Sequence, residues 1–382
     1  MKNKLIRVTT IPLSLEKLLG GQLNFINQFY DVIAVSSNKK ELEKYGKIEG
    51  VNTHHIELTR KITPFKDLKS TYLLYRFLKK EKPLIIHTHT PKAGIVGMLA
   101  SYFAKVPYRL HTVAGMPLME AKGFKRMILN IVEKITYNCA TKVYPNSFEL
   151  EKIIIKNKFV KSANKLKVIA NGSSNGIDTT YFNPNLFNLE YQSKLRNDLG
   201  IEKEDFVFIF VGRIVADKGI NELIKAFKKL SRENKKTKLL LVGSFEKDLD
   251  PLLKETINEI KVNTQIISLG YKNDVRPYFA IADSLVFPSY REGFPNVVMQ
   301  AGAMNLPSIV SNINGCNEII EENVNGFIIP VKNVDKLYVS MKRMMTNSDM
   351  KIKSRRMITT RFEQKVVWEA LLNEYKYFND NV

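Results

Sequence analysis

The apolar run Ser284-Leu285-Val286-Phe287 stops at Pro288-Ser289, and Glu292-Gly293-Phe294-Pro295-Asn296 then opens a helical stretch that carries Gln300. That order predicts a strand, a loop and a helix N-terminus. Unpaired amides at such a terminus, together with the helix dipole, form a site for a phosphate, and Gly293 lets a ligand approach the backbone closely. Pro295 has no N–H, so the available donors are the amides of Phe294, Asn296 and Val297, with Glu292 beside them. A second loop offers cations. After the apolar run 206–211 come Gly212 and Arg213, and five residues further on Lys218, followed by Gly219. Two cations so spaced across a strand-to-helix loop can both turn toward one diphosphate and neutralise charge that gathers on it. The alternative is a pair of solvated loop charges.

Other candidates lie nearer the start of the chain. Gly20 and Gly21 follow the first apolar run, where glycines let backbone amides reach a phosphate or simply reverse the chain. His87 and His89 close the run 83–86 and point to one side of a strand, a spacing that suits a metal pair. No further ligands accompany them, so no metal is assigned, and at least one of the two is expected to be buried or to cap a loop. His111 ends the run Tyr108-Arg109-Leu110, a place where a lone histidine is more often structural. Met116, Leu118 and Met119 form an apolar loop followed by Lys122, Lys125 and Arg126, a combination that suits the surface of an anionic bilayer. Beyond Met127, the residues Ile128, Ile131, Val132 and Ile135 recur at helical spacing and are expected to pack on a sheet. Asp248-Leu249-Asp250 has the D-x-D form of a divalent-ion site. Asp250 precedes Pro251 and an amphipathic stretch, however, and so reads as an N-cap and helix start.

The elements that must position these residues follow from alternation. Short apolar runs at 5–10, 31–37, 53–59, 83–90, 108–114, 141–147 and 166–170 alternate with amphipathic stretches. The plan repeats at 206–214, 238–245, 265–271, 283–289, 307–312 and 326–331. This predicts an α/β chain of two Rossmann-like, doubly wound domains in series, 1–180 and 181–362, joined near 171–185, where Asn, Gly, Ser, Thr and Pro cluster. In such sheets ligands sit beyond the carboxyl ends of the strands, which is where the candidates fall. At 382 residues each domain can bury its own core. Against 38 Asp and Glu stand 59 Lys and Arg, a net charge of +21 that favours anionic partners. The basic runs at 234–238 and 351–356 are scattered and lack interleaved aromatic residues, which argues against a nucleic-acid binder. Cys139 and Cys316 make neither a disulfide framework nor a zinc spacing, so reduced, buried thiols in a cytosolic protein are expected. Arg7 interrupts the first apolar run, which reads as a strand rather than a signal peptide, and no apolar stretch approaches the ~18 residues of a membrane span, so any membrane contact is expected to be peripheral.

The stretch 284–319 resembles the donor-binding signature of the retaining glycosyltransferases of family 4, the GT-B group that includes capsule, O-antigen and lipid-linked glycan enzymes. Val211-Gly212-Arg213, with Lys218-Gly219, matches that family's V-G-R-x4-K-G pattern. The signature is usually E-x7-E; here Glu292 fills the first position and Gln300 the second. The resemblance covers essentially the whole chain and implies two domains facing a cleft, with the terminal helix 363–382 packing back on the first. It further implies transfer of a hexose or N-acetylhexosamine from a nucleotide diphosphate sugar, with UDP the expected nucleotide, to a polyprenyl diphosphate-linked saccharide. Retention of configuration and the absence of any cofactor or metal belong to the same expectation. By resemblance Arg213 and Lys218 hold the diphosphate, Glu292 holds hydroxyls of the donor sugar, and His111 meets the transferred sugar. Gly20 and Gly21 match a Gly-rich loop, and Tyr271 and Lys272 lie where the base is held. Gln300 is expected to keep the ribose with one acceptor oxygen and a donor nitrogen in place of a carboxylate. The implied place of work is the cytoplasm, peripherally on the anionic inner face of the plasma membrane, with no nucleic-acid partner. A UDP-sugar 2-epimerase of the same architecture is the alternative; it would convert the donor with no acceptor present, and the set Arg213, Lys218 and Glu292 argues for transfer instead.

Overall fold

The alternating apolar runs fold into two parallel sheets, each wrapped by the helices that connect its strands. The computed structural model describes residues 2–116, 118, 121–246, 250–347 and 349–380. The chain divides into two units, Met1–Asn175 with Lys365–Val382, and Gly176–Gln364.

In the first unit β1 (Lys4–Val8), β2 (Asp31–Ser36), β3 (Asn52–His55), β4 (Ile85–His89), β5 (Tyr108–Val113) and β6 (Lys142–Pro145) lie in the order β3-β2-β1-β4-β5-β6. The second unit contains β7 (Phe206–Val211), β8 (Thr237–Val242), β9 (Ile266–Gly270), β10 (Ser284–Phe287), β11 (Ser308–Ser311) and β12 (Gly326–Ile329), in the order β12-β11-β10-β7-β8-β9. The winding is the same in both. The first strand lies in the middle, the next two extend to one side, and the last three extend to the other. Strand order therefore reverses between β1 and β4, and again between β7 and β10, the positions at which doubly wound sheets bind ligands.

Period-two alternation assigns each strand residue to a face. Leu5, Val32 and Ala34 enter one core of the first unit, while Ile6, Val8, Ile33 and Val35 enter the other. The helix Gln364–Asn379 covers the first of these with Leu371, Leu372, Tyr375 and Phe378. Its Trp368 ring lies 5.4 Å from that of Phe25. The second unit builds one core from both faces of its sheet, with β7 buried almost throughout.

Four expectations are corrected by the fold. Residues 166–170 add no strand: Leu166 makes a single bridge to Val143, and the chain then turns through positive φ at Ala170, Gly172 and Ser173, which a strand cannot continue through. The helix after Asp250 starts later, at Lys254–Val262. Met116 and Leu118 are buried rather than offered to a bilayer, because both side chains pack into the first unit's core. Met119 lies outside the described residues. The helix Gly123–Cys139 is turned the opposite way from the one expected: Glu133, Thr136 and Tyr137 are buried, whereas Ile131 and Ile135 are exposed.

Candidate active site

The two loops that leave β7 and β10 are neighbours because those strands pair directly. The first is closed by the Gly212 amide on Val242 O at 2.9 Å and tightens into a 3-10 turn, Ala216–Lys218, that ends at Gly219 with φ 71°. A Cβ at Gly219 would lie 2.1 Å from Pro288 O, so only glycine lets the loops meet here. The Tyr290 amide then donates to Asp217 O at 2.9 Å, and Arg291 Nη2 to Asp217 Oδ2 at 2.9 Å. Asp250 clamps the same turn from the other side. Its Oδ2 accepts from the Asp217 amide at 2.5 Å, and its carbonyl accepts from the Ala216 amide at 3.2 Å. Asp248 and Leu249 lie outside the described residues.

This bracing brings Lys218 against Glu292. Lys218 Nζ pairs with Glu292 Oε1, and both side chains are only 16% exposed. Ser289 Oγ donates to the same oxygen at 2.9 Å. Among the described residues Oε2 accepts no hydrogen bond, so one carboxylate oxygen of Glu292 is available to a ligand hydroxyl. Asn314 Nδ2 donates to the carbonyls of Glu292 and Gly293, and Gly315, at φ 75°, packs where a Cβ would lie 2.6 Å from Gly293 O. Behind them Cys316 is fully buried; burial first, and then the Glu292 charge, pushes its thiol pKa well up. Arg213 is half-exposed and pairs with Glu246 at 2.9 Å.

The helix Asn296–Ala303 begins beside Glu292, after Pro295. As first-turn residues, Asn296 and Val297 have amides with no acceptor inside the helix. Gln300 lies one turn further, half-buried, and its side chain makes no hydrogen bond among the described residues. Tyr271 and Lys272 follow β9 at the same carboxyl edge. Tyr271 is largely exposed, and the Lys272 ammonium lies 5.8 Å from the Tyr278 ring.

In the first unit His87, His89 and His111 are buried, and each bonds a protein side chain. His87 bonds Tyr375 Oη at 2.6 Å and Thr112 Oγ1 at 2.7 Å, and His89 meets Arg7 Nη2 at 2.8 Å. Arg7 itself, 1% exposed, also donates to Tyr375 Oη and Gln22 Oε1, each at 2.6 Å. His111 is buried on β5 with Nδ1 2.8 Å from Thr88 Oγ1, and burial lowers its pKa to about 4, so its imidazole is neutral at neutral pH. Gly94 makes room for it: a Cβ there would lie 2.5 Å from His111 Cε1. At the start of the helix Gln22–Asn27 the anion is the protein's own. Glu49 accepts the Gly21 amide at 2.8 Å and the Asn24 amide at 3.0 Å, so Gly21 has no free donor for a phosphate. The glycine at 21 is needed for packing, since a Cβ would lie 2.8 Å from the Trp368 ring, and one at Gly20 would lie 2.8 Å from Glu16 O.

Of the residues singled out by sequence, Arg213, Lys218, Glu292, Gly293, Phe294, Asn296, Val297 and Gln300 thus share one edge of the second sheet. Gly20, Gly21, His111, Met116, Leu118, Lys122, Lys125 and Arg126 belong to the first unit. Asp250, Ser289, Asn314 and Gly315 were not assigned to the site by sequence, although Ser289 and the Asn-Gly pair at 314–315 are polar and turn-forming residues flanking Glu292.

Comparison with known proteins bears on what this edge does. Residues 192–364 match the family "Glycosyl transferases group 1", and residues 22–147 match "Glycosyl transferase 4-like". The capsular polysaccharide biosynthesis glycosyltransferase CapM of Staphylococcus aureus is 33% identical over 99% of this chain and 98% of its own length. The chain belongs to the group 1, family 4-like glycosyltransferases. A second relative of this glycosyltransferase is the UDP-Gal:alpha-D-GlcNAc-diphosphoundecaprenol alpha-1,3-galactosyltransferase of Escherichia coli, 31% identical over 78% of this chain and 76% of the relative. The fold matches the crystal structure of a glycosyltransferase from Rickettsia africae ESF-5 with a TM-score of 0.82, at 20% identity and full coverage of both chains. The two-domain α/β architecture is therefore that of the GT-B enzymes, and the activity is group transfer.

Proposed function

We propose that this glycosyltransferase moves a hexose or N-acetylhexosamine from a nucleotide diphosphate sugar, with UDP as the nucleotide, to a lipid-linked saccharide diphosphate during capsule or surface polysaccharide assembly. The observation that carries the reading is the joined pair of loops at the β7/β10 reversal, where Lys218, Glu292 and the amides of Asn296 and Val297 share one edge. The relatives' names supply the substrate classes: capsule for one, a UDP-sugar and an undecaprenyl diphosphate acceptor for the other.

In the proposed reaction the anomeric C–O bond to the diphosphate breaks, an acceptor hydroxyl oxygen bonds the anomeric carbon on the same face, and the hydroxyl proton passes to the departing diphosphate. Negative charge grows on that diphosphate. Arg213 and Lys218, each now held by a carboxylate, and the first-turn amides of the helix stabilise it without a metal ion. Glu292 Oε2 accepts from a sugar hydroxyl, and Gln300 holds the ribose. Tyr271 and Lys272 flank the base. His111, neutral through burial, is the proposed hydrogen-bond donor to the transferred sugar. Because the acceptor is lipid-linked, the enzyme is proposed to work peripherally at the cytoplasmic face of the membrane; among the described residues no helix is long and apolar enough to cross it.

The test is donor consumption. Purified protein is incubated with UDP-, GDP- and ADP-sugars, with and without a polyprenyl diphosphate monosaccharide, following nucleotide release and sugar identity. Release of UDP that requires the lipid acceptor, with an α-linked product from an α-linked donor, is expected. A changed sugar without an acceptor identifies a 2-epimerase and overturns the reading, and release from a GDP- or ADP-sugar alone overturns the choice of nucleotide.

A further inference from the structure

The loops that leave β10 and β11 lie side by side because those strands pair. Gly315 lets them touch: at φ 75°, a Cβ there would lie 2.6 Å from Gly293 O, 2.9 Å from Phe294 Cα and 3.0 Å from Pro295 Cδ. The residue before it, Asn314, reaches the same segment with its side chain. Its Nδ2 donates to Gly293 O at 2.5 Å and to Glu292 O at 3.3 Å. One amide nitrogen has two N–H groups to give, so both carbonyls are drawn to the side on which Asn314 lies. Among the described residues every peptide bond is trans, and in a trans unit the N–H points opposite to the C=O. Holding Glu292 O and Gly293 O therefore turns the Gly293 and Phe294 N–H groups to the other side. Neither N–H has an acceptor among the described residues, and both residues are only half-buried. The amides of Asn296 and Val297 follow, so the row of donors is interrupted only at Pro295.

We propose that Asn314 is a positioning residue: by holding the Glu292 and Gly293 carbonyls it aims the Gly293 and Phe294 amides at the outer phosphate of the nucleoside diphosphate. Successive N–H groups on one side of a chain form a concave site for an anionic oxygen. Without the tether either peptide unit is free to rotate and present its carbonyl instead, and the partial negative charge of that oxygen opposes the phosphate. Asn314 carries no charge of its own and acts through the two peptide units. Gly315 fixes how closely its loop approaches, whereas Asn314 fixes which way the facing backbone groups point. The inference rests on the proposed nucleotide diphosphate sugar for the identity of the anion.

The test is calorimetric titration of UDP and of UMP into the full chain and into the variants Asn314→Ala and Asn314→Asp. UMP lacks the outer phosphate and is the control. Asn314→Ala is expected to raise the Kd for UDP about tenfold and to leave that for UMP within about twofold. Asn314→Asp, which keeps the shape but offers the carbonyls only acceptors, should raise it further. Asn314 is half-buried, so thermal melts should shift by only a few degrees. A spectroscopic reading follows the amide itself. Labelling glycine carbonyls with 13C and phenylalanine nitrogens with 15N selects the Gly-Phe units at 123–124, 293–294 and 326–327. UDP should move the amide proton of the 293–294 unit in the wild-type chain and much less in Asn314→Ala, while the other two stay in place. Equal losses for UMP and UDP would assign Asn314 to general stability and refute the inference, as would an unchanged Kd for UDP in both variants. A wild-type chain that binds none of UDP, GDP and ADP would overturn the proposed function and, with it, the anion assigned here. Binding of GDP or ADP alone would overturn only the choice of nucleotide, and that diphosphate and its monophosphate then give the same comparison.

Discussion

Replacing Glu292 by Gln separates two functions that the Lys218–Glu292 pair combines. Glu292 Oε1 accepts from both Lys218 and Ser289, while Oε2 is the oxygen proposed for a sugar hydroxyl. An amide keeps the shape but turns a charged acceptor into a neutral one, and a hydrogen bond to a charged group contributes about 1.5–3 kcal/mol. If the sugar contact strengthens as the anomeric centre becomes electron-poor, kcat falls by roughly 10- to 150-fold. Lys218, released from its carboxylate, then has only the diphosphate as an anionic partner, so the Kd for UDP should stay level or tighten. Folding should lose about 1–3 kcal/mol, less than for a fully enclosed ion pair because both side chains retain 16% exposure. The assay combines steady-state nucleotide release, UDP titration calorimetry and chemical denaturation on the same preparation. A rise in UDP Kd equal to the loss in kcat would show that Glu292 acts through the nucleotide and not the sugar, and an unchanged kcat would remove it from the mechanism.

Three further outcomes follow from neighbouring geometry. Asp250→Ala removes the acceptor of the Asp217 amide, and the loosened turn should raise the Kd for UDP by about tenfold with the fold's melting temperature shifted by only a few degrees; an unchanged Kd would show that the clamp does not position Lys218. Gly219→Ala should cost about 3 kcal/mol or more in denaturant unfolding, since φ is positive and the added carbon meets Pro288 O at 2.1 Å; a stable variant would contradict that contact. The histidines give a pH dependence. Burial lowers His111 to about 4, so the unfolded chain binds its proton first as pH falls, and stability, full above about 6.5, is lost toward about 4. His111 alone accounts for about 2 kcal/mol between about pH 7 and about pH 5, and His87 and His89, also lowered by burial, act in the same direction. Denaturation midpoints that do not move over this range would mean that the three imidazoles are hydrated in solution.

Much of the architecture was legible because it depends on local patterns. Apolar runs of strand length alternating with amphipathic stretches identify two parallel sheets, and Arg213, Lys218 and Glu292 occupy loops whose strands are neighbours in any sheet wound this way. The supports of those loops were less legible. Asp250 reaches Asp217 from 33 positions away, and nothing in the run Asp250-Pro251 distinguishes a clamp from an N-cap. Periodicity located a stripe on the helix Gly123–Cys139 but could not orient it: the fully buried Tyr137 ring packs in the first unit's core on the face that also buries Glu133 and Thr136, and Ile131 and Ile135 are left exposed. The run 166–170 has the composition of a strand; the positive φ values at Ala170 and Ser173 that end it leave no mark in composition.

The last helix, Gln364–Asn379, belongs to the first unit, and this has a consequence for the order in which the molecule forms at the ribosome. Arg7 is made before the whole of the second unit, yet its buried guanidinium bonds Tyr375, made 368 positions later. Until then one core of the first unit lacks Leu371, Leu372 and Phe378 as well. The second unit, Gly176–Gln364, is contiguous and contains all its own strands, so it can close while synthesis continues. The unit begun first is therefore the one completed last, and a chain that stops before Trp368 would leave Gly176–Gln364 whole and the first unit with an open core.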